Sequence, residues 1–290
     1  MAAQPITIKA VKEVLARKNL APLKSLGQNF LVDRNFLDKI IKSGGLSRED
    51  LVLEIGPGLG GLTERLATAA GKVVAVEYDR GLYGVLRETL TSYPNLQLIN
   101  ADFLEVDLRQ ILNYPEYRLK VIANLPYYIT TPIIFKLLES KIHWDRMIFL
   151  VQKEVALRIA AGPGAKDYGA LTVMLNFFGT VEWVCQVPKQ VFYPAPQVDS
   201  AVIKITPGMT QLDWEIYPYL QQVVQASFGQ RRKTVLNALG QLEPFLGAKE
   251  GLKEILLKSG INPAWRGETI GVAQYLKIAA ELQKRVLEGV

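Results

Sequence analysis

The residues best suited to chemistry are Asn124-Leu125-Pro126-Tyr127, which follow an apolar run from Leu119 to Ala123. The run reads as a buried strand, so it delivers an amide and an aromatic ring to a sheet edge, where open α/β sheets bind ligands. Pro126 has no N–H and biases Leu125 toward extended backbone, turning the Leu125 carbonyl toward a donor from outside the chain. Two acceptors, Asn124 Oδ1 and Leu125 C=O, beside a flat ring suit the exocyclic –NH2 of a planar heterocycle. An ordinary strand-ending turn carries the same short pattern, so the tetrapeptide alone decides nothing.

A second group of residues supports it. Glu54-Ile55-Gly56-Pro57-Gly58-Leu59-Gly60-Gly61 satisfies G-x-G-x-x-G at Gly56, Gly58 and Gly61, between an expected strand and an expected helix. Glu77 ends the next strand, where a carboxylate can accept from both ribose hydroxyls. The pair points to an adenosine-type cofactor and leaves NAD and S-adenosyl-L-methionine both open. Asp102, in Asn100-Ala101-Asp102-Phe103, closes a third strand on the same crevice and suits an adenine amino group. Four strands thus end in Gly56, Glu77, Asp102 and Asn124, the pattern of a methyltransferase sheet. One histidine, His143, and one cysteine, Cys185, exclude a His/Cys metal cluster and a Cys-His catalytic pair. No metal is expected, and His143 reads as a surface loop residue. Arg231-Arg232-Lys233 opens an expected helix, where the helix field disfavours cations. Their presence there points to RNA phosphates.

The elements that position these groups follow from periodicity. Short apolar runs at Leu51–Ile55, Val73–Glu77, Leu96–Ala101, Leu119–Asn124 and Met147–Val151 alternate with helical patterns at Leu59–Ala70, Asp79–Thr91 and Thr131–Leu138. That alternation predicts a parallel sheet covered on both faces. Gly179–Val187 and Ser200–Thr206 are expected to close it as antiparallel strands. Ahead of the sheet, Ile6–Lys18 reads as an amphipathic helix, and Asp33 caps another over Arg34–Ser43. Thr206-Pro207-Gly208 reads as a boundary, with only helical patterns beyond it. The expected organisation is a catalytic domain over residues 1–208 and a helical RNA-contacting domain over 209–290. The chain has 290 residues, 49% of them hydrophobic, and a formal charge of +6, a weak pointer to nucleic acid. The N-terminus lacks a signal-peptide pattern, no apolar run is long enough for a membrane, and a lone cysteine fits a reducing cytoplasm.

The whole chain resembles the small-subunit rRNA adenine N6-dimethyltransferases (KsgA type). The resemblance rests on Gly27-Gln28-Asn29-Phe30-Leu31, Glu54-Ile55-Gly56-Pro57-Gly58, Asn124-Leu125-Pro126-Tyr127, Phe192-Tyr193-Pro194-Ala195-Pro196-Gln197-Val198-Asp199-Ser200 and Phe228-Gly229-Gln230-Arg231-Arg232-Lys233-Thr234, in that order. It implies a Rossmann-like class I methyltransferase fold and S-adenosyl-L-methionine as cofactor. The implied cofactor-binding residues are Gln28, Asn29, Leu31, Gly56, Gly58, Glu77, Asp102 and Asn124. Asn29 and Leu31 would meet the methionine part, Glu77 the ribose, and Asp102 the adenine. The implied catalytic set is Asn124, Leu125, Pro126 and Tyr127, with Phe192 against the second face of the base. Arg231, Arg232 and Lys233 would contact RNA. The implied substrate is two adjacent adenosines in a hairpin near the 3′ end of 16S rRNA, within the small (30S) subunit, modified by a monomer. Erm-type 23S rRNA methyltransferases share the first four markers in outline, and the Gln230–Thr234 run favours the small-subunit branch. An NAD-type oxidoreductase and a non-catalytic RNA-binding assembly factor are the other classes to separate.

Overall fold

The computed structural model describes residues 7–208, 213–230, 232–242 and 249–288. Contacts divide the chain into two compact units, one of Met1–Ala156 with Glu182–Pro207, the other of Leu157–Val181 with Gly208–Val290. The strands are β1 (Phe30–Leu31), β2 (Asp50–Ile55), β3 (Lys72–Glu77), β4 (Leu96–Asn100), β5 (Arg118–Asn124), β6 (Arg146–Gln152), β7 (Gly179–Val187), β8 (Phe192–Tyr193) and β9 (Ser200–Pro207).

Seven of them form one sheet in the order β4-β3-β2-β5-β6-β9-β7. β2 through β6 pair in parallel, and β9 runs antiparallel to β6. The near-continuous apolar runs explain the parallel part: every residue of β2 and nearly all of β6 is buried, as a strand covered on both faces requires. From β2 the chain steps outward to β3 and β4, then crosses back to lay β5 on the other side of β2. The order therefore reverses between β2 and β5, and a ligand crevice opens beyond the carboxyl ends at such a switch. Leu53 pairs with Val121 across the two strands, which brings Gly56 level with Asn124.

Helices α1 (Ile8–Arg17), α2 (Arg34–Gly44), α3 (Gly61–Ala69) and α4 (Arg80–Thr89) belong to this unit. Asp33 caps α2 by accepting from the Asn35 and Phe36 N–H groups, and Asp79 caps α4 through Gly81 and Leu82. Leu37 and Ile40 of α2 join Val52, Ile122, Ile148, Leu150 and Val202 in one buried cluster. β1 and β8 pair as a separate two-stranded ribbon, Phe30 opposite Tyr193 and Leu31 opposite Phe192.

The second unit is helical: Ala170–Phe178, Tyr217–Gly229, Val235–Ala238, Lys249–Lys258 and Val272–Glu288. Phe228 sits 6.0 Å from the rings of both Tyr168 and Tyr275, whose buried hydroxyls donate to the Ile270 and Gly267 carbonyls. Each polar tip keeps a partner, so those rings cost little to bury. Among the described residues no helix is long and apolar enough to cross a membrane.

Candidate active site

Gln28, Asn29, Leu31, Gly56, Gly58, Glu77, Asp102, Asn124, Leu125, Pro126 and Tyr127 line a single pocket at the β2/β5 switch. The βα turn after β2 makes room for it. Gly56 has φ +67°, and a Cβ there would stand 3.4 Å from Pro126 Cγ. Gly58 has φ +62°, with Phe30 ring carbons 3.1 Å from the same kind of added atom. Both turn residues must therefore be glycine for the backbone to lie this close to β5 and to β1.

β5 and β1 orient the amide. Asn124 Nδ2 donates to the Asn29 carbonyl at 3.2 Å, which assigns the two ends of the side chain. Asn124 Oδ1 is then the free acceptor, with no hydrogen bond among the described residues. Asn29 in turn donates from Nδ2 to the Gly27 carbonyl at 2.8 Å, and Gln28 bridges the Leu23 N–H to Asp79. The Leu125 N–H donates to the Leu150 carbonyl at 3.0 Å, fixing the Asn124–Leu125 peptide. The Tyr127 hydroxyl shares a 2.6 Å hydrogen bond with Ser200 Oγ, which anchors the ring from its far end. Burial pushes that phenol above its ordinary value.

The acids of the pocket are poised rather than paired. Glu77 accepts one N–H on each oxygen, from Gly58 at 3.0 Å and Asp79 at 2.8 Å, and each oxygen keeps a further lone pair. Burial pushes it up to about 7 against those two bonds. Glu54 is 1% exposed, and the Thr63 hydroxyl beside it partly offsets the effect of burial. Burial raises Glu54 to about 8, and the charge of Glu77 adds to the effect. Asp102 is exposed, lines the pocket and accepts from the Leu104 N–H with Oδ1, leaving Oδ2 without a bond among the described residues. Phe103, beside it, is buried and lines the wall.

The sequence profile of the ribosomal RNA adenine dimethylases matches residues 21–284. The chain belongs to that family. It is 46% identical over 279 residues to the ribosomal RNA small subunit methyltransferase A of Geobacillus thermodenitrificans, covering 93% of this chain and 94% of the relative. The protein of the same name from Alkaliphilus oremlandii is 42% identical over 96% of this chain and 98% of its own length. Among solved structures, a dimethyladenosine transferase from Plasmodium falciparum superposes with a TM-score of 0.73 at 27% identity, over 89% of this chain and 98% of that one. The 23S rRNA methyltransferase ErmE gives 0.68 at 27% identity, over 87% and 99%.

The cofactor of this dimethylase fold is S-adenosyl-L-methionine, and the pocket suits it by charge. Its lining holds three carboxyl groups, Glu54, Glu77 and Asp102, and no basic side chain. Such a wall offers acceptors to a sulfonium and an ammonium and supplies no cation to partner the pyrophosphate of NAD. Among the described residues no cluster of His, Cys, Asp or Glu could hold a metal ion.

Two expectations for this dimethylase need correction, and one lies out of reach. Phe192 does not reach the pocket: it is 1% exposed and packs with Leu31, Leu37 and Val187 in the core, because β8 pairs with β1 and turns the ring inward. Arg232 and Lys233 are exposed but precede the helix instead of opening it, since Thr234 caps Val235–Ala238 through the Asn237 N–H at 3.4 Å. Arg231 lies outside the described residues. Sequence reasoning also missed Tyr78 and Tyr128, both about half exposed and both on the pocket wall. Each directly follows a residue already singled out, which was the available signal.

Proposed function

We propose that the chain dimethylates the N6 amino groups of two adjacent adenosines in a hairpin near the 3′ end of 16S rRNA, on the small (30S) subunit, as a cytoplasmic monomer. The observation that carries this reading is the free Asn124 Oδ1 beside Leu125, at the corner of an acid-lined pocket in a ribosomal RNA adenine dimethylase. An adenine amino group is a poor nucleophile because its lone pair is delocalised into the ring. Asn124 Oδ1 and the Leu125 carbonyl accept its two N–H groups and favour a pyramidal nitrogen whose lone pair leaves the ring plane. Pro126 keeps that carbonyl turned outward, and Tyr127, held by Ser200, stacks on the flipped base.

S-adenosyl-L-methionine supplies an electrophilic methyl when bound. Glu77 would take the ribose hydroxyls, Asp102 the adenine amino group, and the Gln28–Leu31 stretch with Gly56 and Gly58 the methionine end. No imidazole is needed, because the amine proton becomes acidic only as the new N–C bond forms. Acceleration is then mainly positional, with reacting atoms held about 3–3.5 Å apart.

The test is labelled-methyl incorporation into small subunits from a strain lacking this protein, with mass mapping of the product. Two adjacent N6-dimethyladenosines are expected. Label in 23S rRNA instead would move the assignment to the Erm side, and no label with intact RNA binding would leave an assembly factor. Helical residues 209–290, with Arg232 and Lys233, would supply RNA contacts outside the pocket.

A further inference from the structure

Arg232, Lys233, Trp265 and Arg266 are brought to one edge of the second unit by main-chain bonds. The Val235 N–H donates to the Trp265 carbonyl at 2.6 Å, and the Leu236 N–H to the Pro263 carbonyl at 3.4 Å. The turn that carries the tryptophan is held locally, with Asn262 accepting from the Ala264 and Trp265 N–H groups. Trp265 is 42% exposed, and the three cations are all exposed. Among the described residues none of the three forms an ion pair.

A single exposed aromatic is ordinary on a protein surface. Trp183 shows this: it is 37% exposed, and its neighbour Glu182 pairs with Lys204 at 2.7 Å. Trp265 differs because the segments joined by these bonds carry three exposed cations that form no ion pair among the described residues. Sequence-tolerant sites for unpaired nucleic acid combine these two parts, a ring that offers a base its face and cations that follow the phosphates.

We propose that Trp265, with Arg232, Lys233 and Arg266, is a stacking platform for an unpaired RNA nucleotide outside the methyl-transfer pocket. The inference rests on the rRNA reading and adds the chemistry by which the helical unit grips single-stranded RNA. It predicts a contact indifferent to base identity, unlike the pocket, which selects an adenine amine.

The experiment titrates the full-length chain with a short oligocytidylate and with a blunt RNA duplex of equal charge, following tryptophan emission at several salt concentrations. The single strand is expected to quench emission in the parent and not in Trp265→Phe. Trp265→Ala should bind the single strand about 5- to 150-fold more weakly, while Trp265→Phe, which keeps a ring, stays within a few-fold of the parent. Arg266→Gln should lower the log–log salt slope by about 0.7. With small subunits as substrate, Trp265→Ala should raise KM and leave kcat unchanged. Parent-like affinity in Trp265→Ala, or equal quenching by the duplex, overturns the platform. Absent methyl incorporation by a parent that still shows the quenching would overturn the rRNA reading alone. Normal incorporation without quenching would overturn the platform alone.

Discussion

β2 carries a buried carboxylate at each end, and the two have opposite surroundings. Asp50, at the amino end, is 0% exposed, with Lys120 Nζ 3.1 Å and Arg118 Nε 3.3 Å from its oxygens. Lys120 also donates to the Gly45 carbonyl at 2.8 Å and lies 3.6 Å from Asp145. Glu54, at the carboxyl end of the same strand, is equally buried but borders a pocket whose walls carry no cation. One acid is ion-paired by the protein itself, while the other has no cation beside it. Burial alone does not mark function. The discriminating feature is whether the fold supplies the counter-charge.

Removing a counter-charge at the closed end should do most damage. Lys120→Met leaves Asp50 in the core with its nearest cation gone, and should cost about 3–5 kcal/mol in urea unfolding. Asp50→Asn in the same chain should recover much of that loss. A Lys120→Met protein as stable as its parent would falsify the contrast. At the open end, Asn124→Ala should slow methyl transfer about 100-fold or more while cofactor affinity changes only a few-fold, read by single-turnover label transfer and calorimetry. A variant that turns over normally removes Asn124 from the mechanism.

The pH dependence sharpens the contrast further. Burial raises Glu77 to about 7 and Glu54 to about 8 from the usual 4.5, so the folded chain keeps protons that the unfolded chain has released. Their contribution to stability is complete below about 4.5 and is lost as the pH climbs through 7 to 8. Glu54→Gln should flatten that decline in chemical denaturation series. Cofactor binding, which favours the ionised carboxylates, should release protons near neutrality. Calorimetry in buffers of different ionisation enthalpy measures that release, and buffer-independent heats would argue against it. The smallest effect is expected from Tyr127→Phe, which loses the bond to Ser200 and about 1 kcal/mol of stability. Its KM for RNA should rise slightly if the anchored ring stacks on the base.

Much of this was legible in the chain. The strands of the parallel sheet announce themselves as runs of Val, Leu and Ile long enough for one crossing, and strand-end residues such as Gly56, Glu77, Asp102 and Asn124 inherit their place from the topology. Contacts between distant segments were not legible. β1 and β8 have two residues each, too few for any periodicity, so nothing local tells that Phe192 turns inward. The start of Val235–Ala238 could have been found, because Thr234 before an apolar residue is a capping signal that outweighs the preceding cations. Tyr78 and Tyr128 were hidden by company: exposed aromatics carry no pattern until the pocket gives them one.

The ribbon of β1 with β8 also sets a timetable for biosynthesis. Phe30 and Leu31 leave the ribosome well before their partners Tyr193 and Phe192, with most of the sheet encoded between them. A growing polypeptide can assemble β2 through β5 early, since those crossovers are local, while the wall formed by Gln28 to Leu31 waits for a distant closure. The nascent chain therefore lacks that wall of the pocket until Phe192 and Tyr193 have been made.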